Sequence, residues 1–385
     1  METKQDGINS NISPGRERLY THLEKALYFP ADVYPLGGRF EGLQPELASL
    51  IMLDVTRVPG CHYGVKNVFV PIIHGLEEHG VMVGEKHVDV SPNTAILIEP
   101  STGNGWVAFS NAAEVLGYEH LVVMPDGLPQ ARYRHPQGKD VHIIKTLAQE
   151  YALGMPKQLK ALIKQNPQRL MNGKKIYVTP NHPIGAAEIT IKTMSELGWQ
   201  LLKKLGDQPL PLRVIVSMGN GASLCALGEY VKKFAPGSKV VATESFVFGE
   251  GYDKFAKQKN LPRYKNLYGI EPANMDLMRT FSAYGTNAPI GIELPLQERA
   301  ILGDLIDQYV LFTDARALKK FAQLPTTISQ HLKNVQKLPN YSNLPQSLFN
   351  TFGNSTLANI ATASQFAGKG ELVIAMAYDG RGNYQ

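Results

Sequence analysis

Short apolar runs alternate with amphipathic stretches along most of the chain from about residue 50. Runs such as LVVM and VIVSM, which are apolar on both faces, are typical of strands that helices cover on each side. The alternation predicts an α/β protein with mostly parallel sheets. Predicted strands span 49–55, 94–100, 120–125, 141–146, 175–180, 212–219, 239–245 and 371–378. Predicted helices include one with Val68, Phe69, Ile72, Ile73 and Leu76 on one face, one at 104–116 and one at 355–366.

Two regions lack this regular pattern. The first twenty or so residues are polar and rich in Asn, Ser and Gly, which predicts a loose tail. Residues 250–350 are less regular, and 325–346 have little periodicity, which predicts a surface excursion.

Composition narrows the class of protein. The 385 residues allow two or three domains, and 43% hydrophobic with 19% charged residues is the balance of a folded chain. A net charge of +5 without a basic block gives no sign of a nucleic-acid partner. Cys61 and Cys225 form no CxxC pair, and the histidines lack metal spacing, so no metal is predicted. Since neither a signal peptide nor a membrane span is visible, we expect a cytoplasmic protein without membrane contacts.

One glycine-rich turn lies where a ligand of an α/β protein usually binds. The segment GNGAS, residues 219–223, follows a predicted strand and opens a helix, so its backbone N–H groups could converge on a phosphate. A tight turn with no ligand explains the same glycines about equally well. The segment has neither a Walker lysine nor the GxGxxG spacing of a dinucleotide fold.

A second such turn, EPSTGNGW at 99–106, also connects a strand to a helix. Small polar residues there would let a ligand approach the backbone closely. An ordinary helix cap at Ser101 or Thr102 explains the hydroxyls but leaves Gly105 without a reason. Both turns fall at the carboxyl ends of predicted parallel strands, the edge at which α/β proteins bind ligands.

Two further residues have a chemical and a plain structural interpretation. Lys66 precedes a strong predicted helix, where the helix dipole lowers an amine's pKa and favours Schiff-base chemistry. A solvated surface lysine is the commoner case. Ser355 lies at the start of a predicted helix, where a capping serine is the simplest explanation.

In this order the motifs resemble those of the cysteine synthase family, enzymes of fold type II that use pyridoxal phosphate. GVKNV with Lys66 resembles the family's Schiff-base segment, and STGNG resembles its Thr-Ser-Gly-Asn-Thr substrate loop. SMGNGAS resembles the Gly-Thr-Gly-Gly-Thr phosphate cup, and GNSTLANIATA resembles the Gly-x-Ser-Ser-Gly-Ala segment. The end of the chain, VIAMAYDGRGNY, resembles the family's terminal strand and tail. The resemblance covers about residues 45–250 and 350–385.

The resemblance implies a role for each motif. Lys66 would form the Schiff base with pyridoxal 5'-phosphate and act as the base for the α-proton. Asn104 would bond the phenolic oxygen of the ring, and Ser355 would face the pyridine nitrogen. The phosphate would be held by Gly219, Asn220, Gly221, Ala222 and Ser223. The substrate carboxylate would be held by Ser101, Thr102, Gly103, Asn104 and Gly105.

The implied reaction is β-elimination or β-replacement on an amino acid, through an external aldimine and an α-aminoacrylate. A serine at the pyridine nitrogen makes the ring a weak electron sink, which suits this chemistry better than transamination. Gly64 and Gly105 depart from the family pattern and put its usual substrates in doubt. An ammonia-lyase or dehydratase of the same fold is one alternative. A noncatalytic binding or regulatory protein is the other.

The resemblance also implies an architecture like that of the tryptophan synthase β chain, with two three-layer α/β domains. The larger, cofactor-binding domain would comprise residues 1–67 and 184–385, and the smaller, mobile domain residues 68–183. The small-molecule site would lie between them, and the protein would form a homodimer.

Overall fold

The computed structural model describes residues 13–26, 31–52, 69–101, 104–128, 130–135, 138–150, 154–180, 203, 205, 212–274, 295–368 and 370–378. The strands are β1 (Ala31–Pro35), β2 (Leu47–Met52), β3 (Val81–Val83), β4 (Lys86–Val88), β5 (Ala95–Pro100), β6 (His120–Pro125), β7 (His142–Thr146), β8 (Ile176–Val178), β9 (Leu212–Ser217), β10 (Lys239–Ser245), β11 (Gln308–Phe312) and β12 (Leu372–Ala377). The helices are α1 (Pro14–Ala26), α2 (Phe69–His79), α3 (Asn104–Val115), α4 (Gly154–Lys164), α5 (Asn166–Met171), α6 (Ala222–Phe234), α7 (Glu250–Gln258), α8 (Tyr264–Tyr268), α9 (Pro295–Leu302), α10 (Ala315–Ala322), α11 (Thr326–Ser329), α12 (Leu332–Gln336), α13 (Gln346–Thr351) and α14 (Asn354–Ala363). Within these ranges, no helix is both long enough and apolar enough to cross a membrane.

The larger sheet has six strands in the order β1-β2-β12-β9-β10-β11. All neighbours are parallel except β1 and β2. The central strands are apolar on both faces, and β9 buries Val214, Ile215 and Val216 almost completely. Helix α14 packs across β12, β9, β10 and β11. Burial on both faces is the reason these strands have apolar runs rather than alternation.

The smaller sheet has four parallel strands in the order β7-β6-β5-β8. Helix α3 packs against β5 and β6, and residues 105–113 of it are all buried. Trp106 and Phe109 are among the largest fully buried side chains. Two separate, mostly parallel sheets with packed helices confirm the predicted α/β fold class.

The predicted central strands are confirmed, whereas short strands were missed. Strands β6 and β10 have the predicted bounds, and β5, β7, β9 and β12 differ by a residue or two. The pattern did not predict the antiparallel edge strand β1, the β3–β4 hairpin or the edge strand β11. These strands are only 3 to 5 residues long, and the hairpin strands are not buried, so the pattern did not distinguish them from the loops around them.

The predicted loose tail is wrong from Pro14 onward. Residues 14–26 form α1, which packs against α2. The Arg16 Nε atom donates to the Glu77 carboxylate at 2.9 Å, and Tyr20 is fully buried in a stack on His74 with ring centroids 4.1 Å apart. One partly buried ion pair and one buried aromatic ring therefore hold a segment that its polar composition predicted to be loose.

The predicted surface excursion at 325–346 is also more ordered than the pattern suggested. It contains α11, α12 and a turn of 3-10 helix at Tyr341–Asn343. Val335 and Tyr341 are buried, and the Tyr341 hydroxyl donates to Asp314 at 3.0 Å. The segment also pairs with the end of β11 through a bridge between Thr313 and Asn340.

Candidate cofactor site at the carboxyl edge of the larger sheet

The turn after β9 has a conformation that only glycine fits. Gly221 precedes α6 and has a φ of 91°, in the left-handed region. A Cβ atom there would lie 2.6 Å from the Gln297 amide nitrogen and 2.7 Å from the Leu296 carbonyl carbon, both backbone atoms of α9. The second glycine of GNGAS is thus required by the backbone conformation and by the close approach of α9.

Helix α9 also braces the turn through side chains. The Gln297 Nε2 atom donates to the Gly219 carbonyl at 2.7 Å. The thiol of Cys225, one turn into α6, donates to the Leu296 carbonyl at 2.9 Å. Gln297 and Cys225 are both buried. These contacts fix the turn against a second helix, as a binding site built from backbone groups requires.

The start of α6 has the donor set that a phosphate needs. No acidic residue lies in its first turn, and Lys232 and Lys233 occupy its last turn. The positive end of the helix dipole is therefore not neutralised by a carboxylate of that turn. The Ala222 amide donates to Asn220 Oδ1 at 3.1 Å, and Ser223 is partly buried. The other backbone amides of this helix N-terminus, together with the Ser223 hydroxyl, suit the phosphate of pyridoxal phosphate.

Ser355 is not the cap of its helix. Helix α14 begins at Asn354, and its N-cap is Gly353, which makes no side-chain capping bond. Ser355 lies inside the first turn and is only 6% exposed. The simple capping explanation for this serine is therefore wrong.

The predicted substrate loop is described only in part. Ser101 is partly buried, and its amide donates to the Val123 carbonyl at 3.1 Å, which extends the pairing of β5 with β6. Thr102 and Gly103 lie outside the described residues. Asn104 is the first residue of α3, and Gly105 after it is buried. The turn thus joins β5 to α3 as predicted.

Lys66 also lies outside the described residues, which end at Met52 and resume at Phe69. Cys61, His62 and Gly64 fall in the same gap. The role of Lys66 therefore stays a prediction.

A set of polar side chains that the sequence did not reveal links α14 to the end of β9, close to the turn at 219–223; four of them are buried and Tyr378 is partly buried. It comprises Ser217, Thr243, Thr356, Asn359 and Tyr378, which we call the polar hub. Asn359 Oδ1 accepts from the hydroxyls of Ser217 and Thr243, each at 2.8 Å. Asn359 Nδ2 donates to the Met376 carbonyl at 2.8 Å. The available signal was a hydroxyl residue inside otherwise apolar strand runs, as at Ser217 in VIVSM.

Tyr378 completes the polar hub at the end of β12. Its amide donates to Thr356 Oγ1 at 3.1 Å, and its hydroxyl accepts from the Ser217 amide at 3.1 Å. Burial raises the pKa of Tyr378 to about 12, although its hydrogen bonds with Ser217, Asn359 and Ser223 act to lower it. The phenol therefore stays protonated at neutral pH, and it holds the Ser217 amide at the end of β9, two residues before the turn that opens α6.

A parallel sheet with a braced, glycine-rich turn, opening a helix whose first turn lacks acidic residues, is typical of α/β proteins that bind phosphorylated ligands at this edge. The family model described as pyridoxal-phosphate dependent enzyme matches residues 76–324, more than half of the chain. The chain belongs to this family of enzymes, and pyridoxal phosphate is its cofactor. Both glycine-rich turns lie inside the matched span, whereas Lys66 and Ser355 lie outside it.

Similar proteins agree with this family. A probable cysteine synthase of Bacillus subtilis is 23% identical over 150 residues, which are 39% of this chain and 46% of that protein. The chain thus matches about half the length of this curated relative.

Solved structures show the same fold over nearly the whole chain. An O-acetylserine dependent cystathionine beta-synthase from Helicobacter pylori matches with a TM-score of 0.61 and 15% identity, over 94% of this chain and 96% of that one. A hydrogen sulfide-producing enzyme from Fusobacterium nucleatum matches with a TM-score of 0.58 and 17% identity, over 94% and 98%. O-acetyl serine sulfhydrylase isoform 3 from Entamoeba histolytica matches with a TM-score of 0.56 and 18% identity, over 100% and 92%. They confirm fold type II.

Proposed function

We propose that this protein catalyses β-elimination or β-replacement on an amino acid with a leaving group on its β-carbon. The observation that carries the proposal is the braced turn at 219–223, whose helix N-terminus suits the cofactor phosphate. The similar structures include an O-acetylserine dependent enzyme and a hydrogen sulfide-producing enzyme, and both activities fit this class of reaction.

Residues of this chain would hold the cofactor at four points. Lys66 would bind it covalently, and the segment Gly219–Ser223 would hold its phosphate. Asn104 would bond the phenolic oxygen, and Ser355 would bond the pyridine nitrogen. When bound, pyridoxal phosphate withdraws electrons from the substrate's α-carbon.

The chain's own groups then move the protons and orient the substrate. The Ser101–Gly105 loop would hold the carboxylate, mostly through backbone N–H groups. Lys66 Nζ would take the proton from the α-carbon, after which the bond from the β-carbon to its leaving group breaks. A serine hydroxyl at the ring nitrogen stabilises negative charge on the α-carbon less than a carboxylate partner would. That favours prompt loss of the β-substituent over transamination.

We also propose the division into a larger domain at 1–67 and 184–385 and a smaller, mobile domain at 68–183. The six-stranded and four-stranded sheets support this division. Helix α1 would be an exception to this division: it lies within residues 1–67, but it packs against α2 through Arg16 and Glu77 and would move with the smaller domain. A homodimer and a cytoplasmic location are proposed on the resemblance to cysteine synthases alone.

The test is an absorption spectrum of the purified protein before and after borohydride reduction. We expect a visible band that borohydride removes while it locks the cofactor onto the chain at Lys66. The Lys66→Ala variant should lose this fixation, and Lys86→Ala, an exposed lysine on β4, should keep it.

Release of pyruvate or ammonia is then measured with O-acetylserine, O-phosphoserine, serine and cysteine. We expect release with at least one good leaving group. Release from serine alone would favour a dehydratase, and no release from any of the four compounds despite fixed cofactor would favour a binding protein. A protein that stays colourless with added pyridoxal phosphate would contradict the proposal.

A further inference from the structure

The side chain of Asn359 ties one helix to three strands. Asn359 lies on α14, and its Oδ1 atom accepts hydrogen bonds from the hydroxyls of Ser217 on β9 and Thr243 on β10. Its Nδ2 atom donates to the Met376 carbonyl on β12. Asn359 and Thr243 are fully buried, and Ser217 is 4% exposed. A carboxamide oxygen has two lone pairs, so one atom can hold both strands.

A second connection runs between the same elements. Tyr378 binds α14 through Thr356 and β9 through the Ser217 amide. The Met218 amide, at the entrance to the turn, donates to the carbonyl of Thr243 at 2.8 Å. The polar hub therefore links α14 to β9, β10 and β12 immediately before the turn that carries the candidate phosphate site.

Ser355 lies one helical turn before Asn359, and the turn at 219–223 begins just after Ser217. A helical spacing of four residues places Ser355 and Asn359 on the same side of α14. A rigid ligand that binds both at Ser355 and at the turn needs a fixed distance between them.

We infer that Asn359 is a positioning residue, which fixes the cofactor-facing start of α14 relative to the phosphate-binding turn after β9. This inference rests on the proposed function. Apolar packing alone would hold α14 on the sheet, but it is non-directional and does not select one rotation or register. Three short hydrogen bonds to three different strands do select one.

The test compares two buried asparagines. Asn166 on α5 also makes two 2.8 Å bonds, to the amide and the carbonyl of Tyr177, but in the smaller sheet. Asn359→Ala and Asn166→Ala are titrated with pyridoxal phosphate, and the apparent Kd, the absorption maximum and the phosphorus NMR line of the bound cofactor are recorded. We expect Asn359→Ala to weaken binding by about tenfold or more and to shift the absorption maximum, as loss of an orienting residue does. Asn166→Ala should leave both unchanged.

Milder variants keep the test decisive if Asn359→Ala does not fold. Ser217→Ala removes one donor to Asn359, and Thr362→Val removes a buried hydroxyl of the same helix that bonds only within α14. Only Ser217→Ala should alter the cofactor spectrum.

A triple variant, Ser217→Ala with Thr243→Val and Asn359→Leu, separates positioning from simple stabilisation. It replaces matched polar partners by apolar groups, so we expect much of the thermal stability to return while cofactor binding stays weak. Binding and spectrum that return with the stability would overturn the inference. So would equal cofactor readouts for Asn359→Ala and Asn166→Ala.

The outcomes also separate this inference from the proposed function. If the wild-type chain binds no pyridoxal phosphate, the proposed function fails and the inference falls with it. If the wild type binds and reacts while the Asn359 variants match their controls, the inference alone fails.

Discussion

The two buried asparagines, Asn359 and Asn166, show how differently the two sheets use hydrogen bonds. Asn166 bonds both backbone groups of Tyr177 on β8, an edge strand whose other neighbour is β5. It takes the place of a missing strand. Asn359 instead bonds two side chains and one carbonyl on three central strands that already have neighbours on both sides. The buried Asn166 therefore satisfies backbone groups at the edge of the smaller sheet. The buried Asn359 instead fixes a helix on the central strands of the larger sheet, at the end where we propose the cofactor binds.

We expect the largest effect from a substitution that disrupts the turn at 219–223, after β9 of the larger sheet. Gly221→Ala puts a Cβ at a φ of 91° and within 2.6 Å of backbone in α9. Left-handed strain and overpacking together should cost about 2–5 kcal/mol of unfolding free energy and abolish cofactor binding. Urea unfolding and a cofactor titration measure both effects.

The control is Gly228→Ala in the same helix. A Cβ there would make only ordinary contacts, 3.5 Å from Val240. We expect a gain of up to about 1 kcal/mol from helix propensity. Equal losses at Gly221 and Gly228 would contradict the account of the turn.

We expect the next largest effect from loss of the ion pair that joins α1 to α2. Glu77 is 5% exposed and accepts from Arg16 and, at 2.6 Å, from the Tyr118 hydroxyl. Glu77→Gln leaves the Arg16 guanidinium half-buried without its counter-charge, so we expect a loss of about 2–3 kcal/mol. Protease cleavage within α1 should also become faster.

Glu119→Gln is the matched control for that change. Glu119 forms an ion pair with Lys175 while its own side chain is 63% exposed. Its replacement should change the unfolding free energy by no more than about 0.5 kcal/mol. A loss at Glu77 no larger than this would show that α1 is not held by the pair.

The two asparagine variants should differ by a smaller amount in their free energy of unfolding. Asn359→Ala strands three buried partners, and we expect a loss of about 2–3 kcal/mol in unfolding free energy. Asn166→Ala exposes two backbone groups at a sheet edge, where water can replace the amide, so about 1 kcal/mol is expected. The reverse order in urea unfolding would contradict the edge interpretation.

The smallest effect is a pH dependence in the smaller sheet. Burial lowers the pKa values of His120 and His135, and Lys139 lowers them further, whereas Glu114 acts to raise them. The unfolded chain therefore takes up these protons first. Above about pH 6.5 both histidines are neutral in both states and do not lower the free energy of unfolding. Below that pH the free energy of unfolding decreases, as the pH approaches the lower pKa values of the folded state.

Each histidine should cost at most about 1.4 kcal/mol per pH unit over that window. Hydrogen exchange at pH 5.5 and 7.5 should show the loss in α3 and β6. His120→Gln should reduce it. An unchanged profile in that variant would mean that other groups cause the pH dependence.

The sequence predicted the central strands because burial on both faces leaves a continuous apolar run, as in β6 and β10. It missed β11, since QYVLF lies between segments without a clear period. The order of the motifs predicted the glycine-rich turn at 219–223 and the family of pyridoxal-phosphate dependent enzymes to which the chain belongs. The polar hub was not predictable, because Ser217 and Asn359 are 142 residues apart and meet only through the order of the strands. A single hydroxyl inside an apolar run does not identify its distant partner.

The Cys225 thiol lies under the turn, fully buried and bonded to the Leu296 carbonyl of α9. A thiol reagent can reach it only when α6 and α9 separate. In a Cys61→Ser background, its modification rate therefore measures how often this brace opens in the native protein. Slower modification in the presence of pyridoxal phosphate would show that the bound cofactor makes the separation of α6 and α9 less frequent.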